Sequence, residues 1–115
     1  MVKTTNKKVK KIVAKFLISL GNNRIPVSRI ILYGSYAANK QKKDRDIDLA
    51  VISPYFARTD IFDRLIILGR ARMNVKEPLE ILGYTPQEYI KCEKGSFLDE
   101  IKRNGKIIYS NSRAG

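Results

Sequence analysis

Two short runs rich in β-branched residues, Val27 to Tyr33 and Ile47 to Ile52, place the strongest constraint on this chain. Both are too short to be self-contained helices, and residues that interrupt regular structure cut each of them off: Gly34-Ser35 after the first, Ser53-Pro54 after the second. Such runs become strands, and a sheet of apolar strands must be covered. The cover comes from segments with a helical period. From Thr4 or Thr5, Val9, Ile12, Val13, Phe16, Leu17 and Leu20 recur in steps of three and four on one face, lysines take the other, and Gly21 reads as the stop. Thr59, Asp60 and Asp63 open a second helix carrying Ile61, Phe62, Leu65, Ile66, Leu68 and Ala71, which closes on Arg70 and Arg72 as the helix dipole favours. Leu79 to Tyr84 predicts a third strand. Thr85-Pro86-Gln87-Glu88 is a capping-box pattern that starts a short helix, Ser96 caps another through Asn104, and Lys106 to Tyr109 predicts a last strand. This order predicts an α+β fold, a small mixed sheet with helices packed on it, as a single domain over residues 1–109 with a flexible tail at 110–115.

Composition matters chiefly through what is missing. There is no histidine, and Cys92 is the single cysteine. Imidazole bases, His-dependent triads and Cys/His zinc sites are therefore excluded, which leaves proton transfer and metal binding to carboxylates. A lone cysteine fits a reducing compartment. No apolar run approaches the roughly 20 residues that span a bilayer, and the first residues lack a signal peptide's apolar core. The expectation is a cytoplasmic protein without membrane contact. The net charge of +12 is unevenly placed, because residues 1–43 hold eleven basic side chains and no acid. Such a segment attracts phosphates, nucleic acid or an acidic protein face, and its sign does not choose among them.

The residues suited to chemistry lie between the first two strands. In Asp46-Ile47-Asp48 the acids are two residues apart, so on a strand they share one face about 7 Å apart and can bridge divalent ions. Ile47, Leu49 and Val51 then face the core. Gly34 lets the backbone turn sharply toward a ligand, and the Ser35 hydroxyl with nearby amides can hold a phosphate. Either piece alone is commonplace, since Asp-x-Asp at a strand start is mostly structural and Gly-Ser is ordinarily a turn.

Together, in LYGSYAANKQKKDRDIDLAVI from Leu32 to Ile52, they resemble the Gly-Ser and Asp-x-Asp signature of the polymerase-beta nucleotidyltransferase superfamily, at the separation of its short form. In length and element order the chain is similar to the minimal nucleotidyltransferases (MNT), which are often paired with HEPN proteins in toxin-antitoxin modules. The resemblance implies a polymerase-beta-like nucleotidyltransferase fold. It implies that Asp46 and Asp48 bind a pair of Mg²⁺ ions holding the triphosphate of ATP, with Gly34, Ser35 and Arg45 toward the phosphates. A third carboxylate on a later strand binds the catalytic ion and deprotonates the attacking hydroxyl; Glu80 is the match and Glu77 a weaker rival. In-line attack on the α-phosphorus then expels pyrophosphate.

Two positions depart from the family's usual pattern: Asn39 stands where a second glycine is common, and Arg45 where serine or threonine is. Arg45 could contact phosphate or crowd the acid pair. Larger relatives carry a helical acceptor domain after the nucleotide-binding sheet, so here the acceptor is expected on another macromolecule. The resemblance to MNT antitoxins implies a HEPN ribonuclease toxin, silenced by adenylylation of a tyrosine. The alternative is a catalytically inactive antitoxin that neutralises its partner by binding alone. Direct nucleic-acid binding by the basic helix and small-molecule modification of the antibiotic type rank lower, the first for want of stacking aromatics and a known RNA-binding signature. The apolar helix from Ile61 to Met73 reads as core, with a partner surface as its other reading.

Overall fold

The computed structural model describes residues 7–34, 37 and 46–111. Four strands, β1 (Arg29–Tyr33), β2 (Ile47–Ile52), β3 (Leu79–Tyr84) and β4 (Lys106–Ser110), form one sheet in the order β3-β2-β1-β4. β1 runs antiparallel to both β2 and β4, whereas β2 and β3 are parallel. A parallel pair needs a crossover, and α2 (Ile61–Arg72) supplies it. The other helices are α1 (Lys7–Asn22), α3 (Pro86–Lys91) and α4 (Phe97–Asn104). The α+β class expected from the element order is the one observed. β1 begins two residues later than its apolar run and β4 ends one residue later than expected.

The two central strands are buried on both faces, which is why they read as nearly continuous apolar runs. One face, with Ile30, Leu32, Ile47, Leu49, Val51, Leu79 and Ile81, packs on Val9, Ile12, Phe16 and Leu20 of α1 and Leu68 and Ala71 of α2. The other, with Ile31, Ala50 and Ile52, packs on Leu98 and Ile101 of α4. A polar seam joins the first two helices: buried Ser19 donates to the Ala71 carbonyl at 2.6 Å and accepts from Asn74 Nδ2 at 3.2 Å. Gly21 does not stop α1. The helix runs on to Asn22, and the left-handed residue that closes it is Arg24 (φ 60), after which the Ile25 N–H returns to the Leu20 carbonyl. The caps of α2, α3 and α4 follow local sequence: Asp60 with Asp63, Thr85 with Glu88, and Ser96.

α2 departs from the core reading. Only Leu68 and Ala71 are buried; Ile61, Phe62, Leu65 and Ile66 are exposed, as is Met73 just beyond the helix. The cause is topological: α2 lies beside β3, an edge strand, so its outer side has no neighbour among the described residues. Its arginines cover that edge. The ladder to β2 uses the carbonyls of Pro78 and Tyr84, so those of Leu79 and Gly83 face outward; Arg72 donates to the first and Arg64 to the second.

Arg64 also holds Glu88 of α3 at 2.8 Å. Burial pushes the Glu88 carboxyl up, but the bonds it accepts from Arg64 and the Thr85 N–H outweigh that and hold it below the ordinary carboxylate range. A depressed folded-state pKa gives stability that is present above the unfolded value, about 4.3, and is lost as pH falls through the folded one. Melting curves at pH 7, 4 and 3 should therefore show a smaller acid-induced loss for Glu88→Gln than for the unaltered chain.

Candidate active site

The end of β1 and the starts of β2 and β3 meet at one end of the sheet. Antiparallel pairing sets Tyr33 opposite Asp48, and parallel pairing sets Asp48 beside Glu80. Residues in register on neighbouring strands point to the same face, so these three form a row. Asp48 alternates with buried Ile47 and Leu49, and Glu80 with buried Leu79 and Ile81, which directs both carboxylates to the face that α4 covers further along. Asp46 directly precedes β2 and is exposed.

Tyr33 is the member of the row that sequence reasoning missed; it looked like the end of a strand. Its ring stands edge-on to Phe97 of α4, with centroids 5.8 Å apart. Burial pushes its phenol up, and the charge of Asp48, then Tyr84 and Glu80, pushes it further. The phenol stays protonated at neutral pH, so it adds no negative charge to the row.

Gly34 is required here twice over. Its φ of 73° is left-handed, and a Cβ would collide with the Asp48 carboxylate, lying only 3.1 Å from Cγ. Gly34→Ala is expected to cost about 1–2 kcal/mol from the left-handed backbone alone and to displace Asp48. A lower melting temperature together with reduced nucleotide binding would show both effects; unchanged melting would contradict them.

Glu77, the weaker rival for the third carboxylate, is used elsewhere. It accepts from Lys15 Nζ at 3.3 Å, tying the segment before β3 to α1, and its own backbone N–H, then Lys15, hold its carboxyl below the ordinary range. Ser35, Asn39 and Arg45 lie outside the described residues.

Could this end of the sheet hold a metal? Among the described residues no three His, Cys, Asp or Glu side chains converge closely enough to enclose an ion on their own. The donors are all carboxylate oxygens, however, which suits a hard cation such as Mg²⁺. That ion commonly takes one or two carboxylates and completes its shell with water and substrate phosphates. Gly34 lets the Asp48 carboxylate pack directly against the end of β1, where any side chain would displace it.

A cleft of about 300 Å³ runs along the outer edge of β3, lined by Glu80 and Tyr33 and, from α2, by Leu65, Leu68, Gly69 and Arg72. A larger groove of about 860 Å³ between α2, α3 and the start of α4 is mostly apolar and contains none of the row. The two share Leu65 and Leu82.

The sequence profile of the family described as "Polymerase beta, Nucleotidyltransferase" matches residues 15–114. The chain belongs to that family. This nucleotidyltransferase domain matches no curated protein. It is similar in fold to a Sulfolobus solfataricus protein solved as a candidate nucleotidyltransferase (14% identity, TM-score 0.61, covering 92% of this chain and 80% of that one). It is also similar to a toxin-antitoxin complex with AMP-PNP (20% identity, TM-score 0.59, covering 87% and 74%). A third similar structure is a mutant of the toxin-antitoxin pair MntA-HpeT in which two aspartates are changed to glutamate (19% identity, TM-score 0.56, covering 87% and 74%). At these identities the likeness carries the fold.

Proposed function

We propose that this nucleotidyltransferase domain is a minimal nucleotidyltransferase and an antitoxin, transferring AMP from ATP to a tyrosine of a partner HEPN ribonuclease toxin. The observation that carries the reading is the register of Asp48 with Glu80, together with the packing of the Asp48 carboxylate against Gly34. The likeness to a toxin-antitoxin complex holding AMP-PNP supports the kind of partner and the nucleotide. The likeness to a toxin-antitoxin pair altered at two aspartates supports the kind of partner as well.

Asp46 and Asp48, with Glu80 beside them, would hold two Mg²⁺ ions, which supply charge neutralisation at the phosphate oxygens. Glu80 accepts the proton of the acceptor hydroxyl as its oxygen bonds to the α-phosphorus, and the bond from that phosphorus to the bridging oxygen breaks, releasing pyrophosphate. Tyr33, a neutral phenol, adds no charge to the row. Gly34 lets the backbone at the end of β1 come close to the phosphates. No step needs histidine.

Binding without transfer is the second reading, favoured by the failure of the described carboxylates to converge by themselves. One experiment separates the two: incubate the protein with Mg²⁺, α-labelled ATP and the product of the adjacent gene, with and without EDTA, and with Asp46→Ala as control. The expected result is label on a partner tyrosine that disappears with EDTA and in the variant. Neutralisation of the partner by both proteins without label would sink the transferase reading and favour the other.

A further inference from the structure

Five large apolar side chains lie exposed along α2 and just past its end: Ile61 (67%), Phe62 (73%), Leu65, Ile66 and Met73 (81%). Monomeric proteins rarely leave so much contiguous apolar surface to water without a use for it. Gly69 sits among them. Glycine weakens a helix interior relative to alanine, yet a Cβ at Gly69 would meet nothing within 4 Å. Nothing within the described fold requires glycine there; a second backbone lying close against the helix would.

Resting on the transferase reading above, we propose that this face of α2 docks the acceptor-bearing protein through a helix whose apolar side is rimmed by carboxylates. Two observations name that occupant. The first is continuity with the candidate site: Leu65 lines both the larger groove and the cleft holding Glu80, and Gly69 and Arg72 line that cleft too. A helix seated on α2 therefore lies next to the carboxylate row. The second is charge. The net charge of +12, although concentrated in residues 1–43, makes an acidic partner a better match than a second copy of this chain. At the C-terminal end of the face, Arg70, Arg72 and Lys76 are exposed and in no ion pair among the described residues. Carboxylates on the partner's rim would complement them, steering encounter and setting the direction in which its helix lies.

The test co-expresses the full chain with the product of the adjacent gene and measures the affinity of the purified pair by calorimetry. Phe62→Glu and Ile66→Glu alter exposed positions that line neither cavity, so both variants should melt like the unaltered chain and bind AMP-PNP with Mg²⁺ within twofold of it. Their affinity for the partner should fall at least tenfold. Gly69→Leu should also weaken docking tenfold or more while melting no lower than the unaltered chain. Absence of a complex with the unaltered chain, or affinity unchanged in all three variants, overturns the proposal. So does a dimer of this chain alone, seen by sedimentation and dissolved by the same changes, because the occupant is then a second copy. Failure of the transferase reading looks different: the complex forms and answers to Phe62→Glu, but no label is transferred.

Discussion

Asp48→Asn is expected to cut nucleotide transfer by three orders of magnitude or more while leaving the chain folded. Asparagine has nearly the same shape, so it keeps the β-ladder and fills the same space beside Gly34, where even a methyl group would collide with the carboxylate. What it loses is the charge. Asp48 stands between Tyr33 and Glu80 in the row, and a neutral amide there can neither anchor a hard cation nor offset the charge of the triphosphate. A thousandfold loss corresponds to about 4 kcal/mol of transition-state stabilisation. The readouts are label incorporation from α-labelled ATP and a melting curve of the same sample. Transfer within tenfold of the unaltered protein would remove Asp48 from the chemistry. A collapsed melting temperature would mean that its role is in the fold.

The largest loss of stability is expected from Arg64→Met. The Arg64 side chain is only 11% exposed. It donates to the carbonyls of Phe56 (3.1 Å), Thr59 (3.3 Å) and Gly83 (3.2 Å), to Thr59 Oγ1 (3.0 Å) and to both oxygens of Glu88 (2.8 and 3.1 Å). It also lies over the Phe56 ring, 5.7 Å from its centroid. Methionine retains much of the volume and none of the donors, so the carbonyls of Thr59 and Gly83 and the Glu88 carboxylate each lose a charged donor in a partly buried place, while the Phe56 carbonyl keeps its bonds from Thr59. Breaking a buried pair from one side costs about 3–5 kcal/mol. The half-exposed carboxylate of Glu88 pulls the expected value toward the lower end, a drop of roughly 10 °C or more in a domain of this size. Arg64→Lys should recover less than half, because a compact ammonium cannot reach donor positions spread over a planar fork. Because Arg64 ties α2 to β3 and α3, its loss should also loosen the face proposed to dock the partner. A Met variant that melts within 2 °C of the unaltered chain would contradict the clamp.

Particular residues show what could be foreseen. Thr85 with Glu88, and Ser96, were legible as caps because a cap is made within four consecutive residues; the start of α2 was legible from Thr59, Asp60 and Asp63, of which Asp60 is the cap. The strand cores were legible for the same local reason: β-branched residues between interrupting ones admit few other structures. Glu80 and Glu77 are three residues apart, and no periodicity separates their roles. The register of β3 on β2 does, bringing Glu80 beside Asp48 while Glu77 turns to Lys15.

The apolar pattern of α2 was visible and its exposure was not, because pattern records which side chains avoid water and says nothing of what lies opposite them. The position of β3 at the edge of the sheet decided it. Local interactions, then, determined the elements, their caps, an all-carboxylate set of candidate ligands and the close spacing of Gly34 with the Asp-x-Asp pair. The row of Tyr33, Asp48 and Glu80, and the bare face of α2 beside it, rest on hydrogen bonds between strands distant along the chain and on the order of those strands. Only the tertiary structure could decide them.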